Sequence, residues 1–457
     1  MKNYITLNTK EWALLLFFSL LQVYLYSKSV HLGSFTEAAD SSQYFYPAKS
    51  LLESFSLLDS GGKIFTIGTP LYSIIISPFV YFLEIENALF AIMTFQSFLL
   101  ILIAFQVFKI LEICKVRIPL IIVLSLMLFN PNSLITSHLV QSETLFTLIL
   151  ITSIKYSFLA FRYKKNKDFL LLGFVLGLLT LTRPAGFYFS ILIPFILLFL
   201  SCLVYKNCKI FNLYKVLVLV TVFILTISPC IYRNYVNFGE FFISANSGYY
   251  LRDQYIQLVR VGKNLKQDEA ITYVNNNLLE NLKNISIDKE CYEFSRKYLC
   301  NEPITSASLR GIYNENISTH LKAITYSVLN LFFTGGASNY SNYLGLNNKS
   351  NFLNMIENDD YSYLSFLREI VKSMNSYTVI FIIFTSFSVM FKLFSFLGFI
   401  YSLKKHDLRP YAILLISYMA IFIAMYLYLG QSRFRVPLEP IFLILFGFYY
   451  ALRKNNE

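Results

Sequence analysis

The sequence predicts an all-α polytopic membrane protein with about ten transmembrane helices, two juxtamembrane helices in the outer interface and a mostly helical outside segment. Three observations carry this prediction. The 457 residues are 56% hydrophobic and only 14% charged, against about 45–50% and about 25% in average soluble proteins. Apolar runs long enough for a bilayer core, about 20 helical residues for about 30 Å, recur along the chain. Basic residues gather at alternate ends of those runs, as the positive-inside rule expects. The formal net charge of +12 therefore reads as topology. No basic, aromatic-interleaved module points to nucleic acid.

The first span is expected at 12–28. It reads as a signal anchor, since no A-x-A-like cleavage site follows closely. Next comes an amphipathic stretch, 43–58, with Tyr44, Phe45, Ala48, Leu51, Leu52 and Phe55 at helical spacing. Gly61 and Gly62 end it. The apolar stretch 69–84 is short, holds Pro70 and Pro78 and ends on Glu84 and Glu86. Counting it as a span would put every later basic cluster outside, so it too is expected to lie in the outer interface. The remaining spans are expected at 87–111, 118–137, 143–162, 169–182, 186–205, 216–232, 378–402, 410–429 and 436–452. Basic clusters at 109–117, 162–167, 206–215, 404–409 and 453–454 then face the cytoplasm with both termini. The organisation is a membrane module at 1–232 with a catalytic outside loop at 29–86, an outside segment at 233–377, and C-terminal membrane helices at 378–457. Within the outside segment, 268–283, 288–300 and 315–333 are expected to be helical.

The informative polar residues crowd the outer edge, where ionisable groups are functional candidates by default. Asp40 precedes the 43–58 helix. It can serve as a helix cap or as a carboxylate accepting a proton from a hydroxyl. Glu143, in HLVQSETLFTL, either complements a helix dipole or is a second carboxylate or metal ligand. His138, five residues earlier, is weighed as structural against functional. Arg183 interrupts an apolar run just before Pro184. It suits a phosphate partner or snorkels to headgroups. Arg233, Arg433 and Arg435 also fall at outer span ends. Four such arginines together point to an anionic lipid substrate. Lys392 and Lys155 are expected to snorkel inward. Cys291 and Cys300, nine residues apart, form a candidate disulfide staple. No GxxxxGK[ST], G-x-S-x-G or H-E-x-x-H motif occurs.

Taken in order, these pieces resemble the GT-C superfamily of membrane glycosyltransferases. The nearest likeness is the glycosyltransferase family 39-like branch related to protein O-mannosyltransferases and the lipid A aminoarabinose transferase. The resemblance rests on Asp40 to Lys49 with Leu51-Leu52, on Gly68 to Tyr72, and on Asn130-Pro131 with Ser142 to Phe146. It continues through GFVLGLLTLTRP (173–184), PCIYRNYVNFG (229–239) and GQSRFRVPLEP (430–440). Residues of about 250–375 match nothing in it. Two departures stand out: Asp40-Ser41 where the family often has Asp-Glu, and Cys230 where it often has Trp.

The resemblance implies transfer of a sugar, with inversion, from a polyprenyl-phosphate donor to a glycan, lipid or protein acceptor at the outer face of the cytoplasmic membrane. It casts Asp40 as general base and Glu143 as its companion. Arg183, Arg233, Arg433 and Arg435 become candidates for the carrier phosphate, with His138, Tyr44 and Tyr72 as accessory positions. A divalent metal on Asp40 and Glu143 stays open, and no other cofactor is implied. The alternatives are an O-antigen polymerase or ligase using polyprenyl-pyrophosphate glycans, and a lipid or solute transporter.

Overall fold

The structure, a computed structural model, describes residues 7–31, 41–205, 210–282, 291, 298–333, 335–336, 343–344, 376–430 and 432–456. Among these the chain is helical, with one isolated antiparallel bridge between Leu58 and Ile64 and no strand. Helix α1 is Thr9–His31, α2 Ser42–Ser54, α3 Leu71–Phe82 and α4 Ile85–Ile113. Helices α5 (Leu120–Leu128) and α6 (Pro131–Thr136) lead to α7 (Glu143–Tyr163), α8 (Asn166–Thr182), α9 (Gly186–Tyr205) and α10 (Ile210–Phe238). The segment between α10 and the next long apolar helix contributes α11 (Ser247–Gly262), α12 (Gln267–Leu282), α13 (Tyr298–Asn314) and α14 (Ile317–Phe333). The chain closes with α15 (Ser376–Lys404), α16 (Arg409–Met425), a 3-10 turn at Ser432–Leu438 and α17 (Glu439–Asn456).

Five of these helices are long and apolar enough to cross a bilayer: α4, α7, α10, α15 and α17, the last counted from Phe434. This is the build of a helical membrane protein. Helices α9 and α16 are apolar but shorter. The expected 118–137 span is not one helix. Pro131 has no N–H to continue α5, and the Asn130 side chain accepts from the Asn132 and Ser133 N–H groups, capping α6 as a new start. Large exposed apolar side chains concentrate on α1, α9, α10 and α15, with Leu16, Phe199, Leu225 and Ile383 as examples. Such a surface needs an apolar surrounding.

One buried core runs through α1, α3 to α5, α7 to α10 and α15 to α17. Helix α8 approaches α10 closely because Gly173 and Gly177 leave no Cβ. At those positions it would meet the Leu219 carbonyl and the Thr226 side chain. Small residues four apart are how apolar helices bring their backbones together. A separate core joins α11, α12, α13 and α14 around Tyr255, Val259, Val274 and Leu278. The disulfide between Cys291 and Cys300 packs with Tyr249 and Ile304 beside it. Helix α10 runs past the expected end at 232 and carries Arg233 within it; Gly239, at φ 76°, ends it.

Candidate functional site

The site is assembled where α8 breaks. Pro184 cannot continue the helix, so Arg183 adopts an extended conformation, φ −150° and ψ 140°. Its side chain turns to the start of α7, where Nη1 lies 2.7 Å from Glu143 Oε1. The carboxylate is buried, 3% exposed, and the guanidinium 16% exposed. Burial works against charge on Arg183, but the Glu143 carboxylate and nearby hydroxyls outweigh it and hold the guanidinium firmly charged. Glu143 therefore braces Arg183, the two expected site residues forming one ion pair.

The loop between α2 and α3 reaches the same place. Asp59 Oδ1 accepts from the Gly61 and Lys63 N–H groups, folding the turn that the two glycines predict. Beyond it, Arg233 Nη2 donates to the Phe65 carbonyl at 3.0 Å. Ala245 N donates to Thr66 O at 2.8 Å, and Ser244 Oγ donates to Ile67 O at 2.5 Å. Arg233 thus holds backbone in place. On the other side Tyr44 Oη and Ser142 Oγ are 2.9 Å apart, and the Tyr44 ring meets Tyr72 edge-on at 5.0 Å. Tyr72 Oη donates to Gln96 Oε1, whose amide donates in turn to the Ser137 and Leu139 carbonyls. These bonds tie α2, α3 and α4 to the entry of α7.

The result is a polar cavity of about 400 Å³. Gln43 and Tyr44 of α2, Gly68 and Thr69, Arg183, and the face of α11 line it. A second, more apolar cavity of about 420 Å³ opens beside it, walled by Tyr188 and Leu192 of α9 and by Ile421 and Ala424 of α16. Arg183, Pro184, Asn246, Tyr250 and Tyr426 border both. Helix α11 is pinned there: Tyr250 Oη donates to Met425 O at 2.5 Å and Gln254 Nε2 to the same oxygen at 2.9 Å. Burial, then the neighbouring Tyr426, pushes the Tyr250 phenol well above its ordinary range, so it stays a donor.

The other expected residues are placed as follows. Asp40 lies outside the described residues, as does the side chain of Arg433. Arg435 does not line either cavity. It is 1% exposed, its Nε 2.5 Å from Glu439 Oε1 and its Nη1 donating to Leu331 O. Lys392 does not snorkel. It is buried against Ser388 Oγ at 2.6 Å and Glu439 Oε1 at 3.8 Å, and Asn130 Nδ2 donates to the other Glu439 oxygen. These groups form a buried network in the helical core. His138 is fully buried, with Nδ1 at 2.5 Å from Tyr343 Oη and Nε2 against Gln22. It links α1 and the α6–α7 connection to Tyr343, which is a structural position.

Among the described residues no group of three or more His, Cys, Asp or Glu side chains could hold a metal ion. Glu143, the described half of the expected metal pair, is committed to Arg183. Its expected companion, Asp40, lies outside the described residues. The contribution of α11 was missed by sequence reasoning. Asn246, Tyr249, Tyr250, Asp253 and Gln257 recur at helical spacing, a signal that was there to find.

The chain matches no family model, no curated protein and no solved structure.

Proposed function

We propose that this protein transfers a sugar from a polyprenyl-phosphate carrier to an acceptor hydroxyl at the outer membrane face. The observation that carries the reading is Arg183, a braced and permanently charged guanidinium at the junction of a polar and an apolar cavity. That is what a lipid-linked phosphodiester requires. The isoprenoid tail takes the apolar cavity, the phosphate meets Arg183, and the sugar enters the polar side.

In the reaction the acceptor oxygen attacks the anomeric carbon and the bond from that carbon to the phosphate oxygen breaks. The acceptor proton passes to the Asp40 carboxylate, which the chain carries three residues before Gln43 and four before Tyr44, both of them cavity-lining. Polyprenyl phosphate leaves with its new negative charge facing Arg183. A phosphate leaving group needs no strong acid to protonate it, unlike the alkoxide of a glycosidase. In this reading about ten spans place both termini in the cytoplasm and the cavity outside, in the inner membrane of a bacterium.

The test is a transfer assay. Full-length protein in liposomes receives radiolabelled polyprenyl-phosphate sugars one at a time, with crude envelope acceptors. Release of free polyprenyl phosphate by wild type, and its loss in Asp40→Asn, is the expected result. Undiminished turnover in Asp40→Asn would remove Asp40 as the base. A second reading, transfer from a polyprenyl-pyrophosphate glycan, is favoured by one observation: Arg252 lines the same polar cavity as Arg183. Turnover only with pyrophosphate-linked donors would decide for it.

A further inference from the structure

The face of α11 that looks into the polar cavity has a chemistry of its own. Asn246, at the helix entry, is followed by Tyr249, Tyr250, Asp253 and Gln257, all lining the cavity. Asp253 is the one carboxylate among the described lining residues. Its carboxylate lies 4.0 Å from Arg252 Nη1. Arg252 is itself fixed by α12, its Nε and Nη2 donating to Asn275 Oδ1 at 3.1 and 2.8 Å. The helix entry is fixed by α13, since Asn301 Oδ1 accepts from Gly248 N at 2.9 Å. The wall is therefore anchored at its entry and through Arg252, and it is polar and aromatic, with acceptors and donors projecting at one-turn intervals.

We propose that this face is the saccharide-reading wall of the cavity, with Asp253 the residue that selects sugar hydroxyls and Arg252 its positioning partner. Hydroxyls both donate and accept. A carboxylate flanked by amides and a guanidinium meets vicinal hydroxyls with charge-assisted bonds, while tyrosine rings cover the apolar C–H face of a pyranose. A site built to bond hydroxyls rejects analogues that lack them by large factors. The inference rests on the reading of the cavity as a lipid-phosphate-sugar site and adds what reads the sugar. The same chemistry would serve a donor sugar or an acceptor glycan.

The experiment uses the full chain in detergent. Binding is measured for undecaprenyl phosphate alone and for undecaprenyl phosphate carrying glucose, mannose or N-acetylglucosamine. The proteins are wild type, Asp253→Asn, Gln257→Ala and Arg183→Ala, each checked for a monodisperse profile. If the wall reads the donor, one sugar-bearing lipid binds wild type at least about tenfold tighter than the bare lipid phosphate. Asp253→Asn erases that gain and leaves the bare lipid phosphate within about twofold. If it reads the acceptor, donor binding is unchanged and Asp253→Asn raises the acceptor's half-saturating concentration at least about tenfold. Unchanged values in both arms for Asp253→Asn and Gln257→Ala would overturn the proposal. If undecaprenyl phosphate binds neither wild type nor Arg183→Ala, the lipid-donor reading fails by itself. A panel of soluble oligosaccharides then decides for the wall: binding that depends on Asp253 keeps it, and no binding removes it.

Discussion

Glu143 and Arg183 are 40 positions apart in the chain and form one buried ion pair. Removing one partner of a buried pair leaves a buried charge unmatched, at about 3–5 kcal/mol, whereas removing both can cost less. Arg183→Ala is therefore expected to lower thermal stability more than the Glu143→Ala, Arg183→Ala double variant. Both should raise the donor's half-saturating concentration at least about tenfold. A double-mutant cycle on melting in detergent measures the coupling. Strict additivity would mean that the pair does no bracing.

The helix break at Arg183 could be read from sequence because Pro184 follows it directly in an apolar run. Arg435 could not be separated from Arg183 by that logic. Its partner Glu439, one turn on, was visible, but Lys392 and Asn130 approach from remote parts of the chain. Arg233 has the same outer-edge signature as Arg183 and spends it on the Phe65 carbonyl. Which arginine faces a cavity is decided by packing, and local pattern does not encode it.

The elements show a similar division. Helices α2 and α3 follow from amphipathic and apolar spacing near their expected bounds, and the α8–α9 break follows from Pro184. The α5–α6 break was also written in the chain, as Asn130-Pro131, but hydropathy averages over it. Helix α11 was hidden for a related reason. Its Arg, Asp and Gln residues dilute an apolar face whose burial depends on α13 and α14.

The short α6–α7 connection carries an element-scale prediction through His138. Burial pushes its imidazole down to about 3, while an unfolded chain titrates near 6.5. Below about pH 6.5 the unfolded state binds a proton that the folded state refuses. Stability then falls by roughly 1.4 kcal/mol per pH unit until the folded value is reached. Wild type should lose more thermal stability than His138→Gln on going from pH 7.5 to 5. Equal losses would show that the imidazole is hydrated in the native state.

For the whole molecule, the two cavities on either side of Arg183 predict a separation of tail from head. Ala424 lines only the apolar one. Ala424→Trp should fill part of it and raise the half-saturating concentration of a long-chain polyprenyl-phosphate donor by about tenfold or more. A short-chain, water-soluble analogue should be affected by less than about twofold. Equal effects on both donors would place the tail elsewhere. That the molecule is a helical membrane protein was legible in its composition and apolar runs. The docking of α11 onto the end of α16 was not, because backbone oxygens such as Met425 O accept the bonds and leave no trace in residue type.

The Glu439 network also sets an order on how the molecule is made. Glu439 accepts from Asn130, 309 positions earlier, and meets Lys392 and Arg435 as well. Synthesis runs from the N-terminus, so Asn130 is made 309 residues before the shared acceptor, and Lys392 also precedes it. The closing helix is consequently the keystone of the bundle. Until it arrives, the cation of α15 lacks the anion that offsets its cost in hydrocarbon, and the nascent chain has to keep it near water or headgroups.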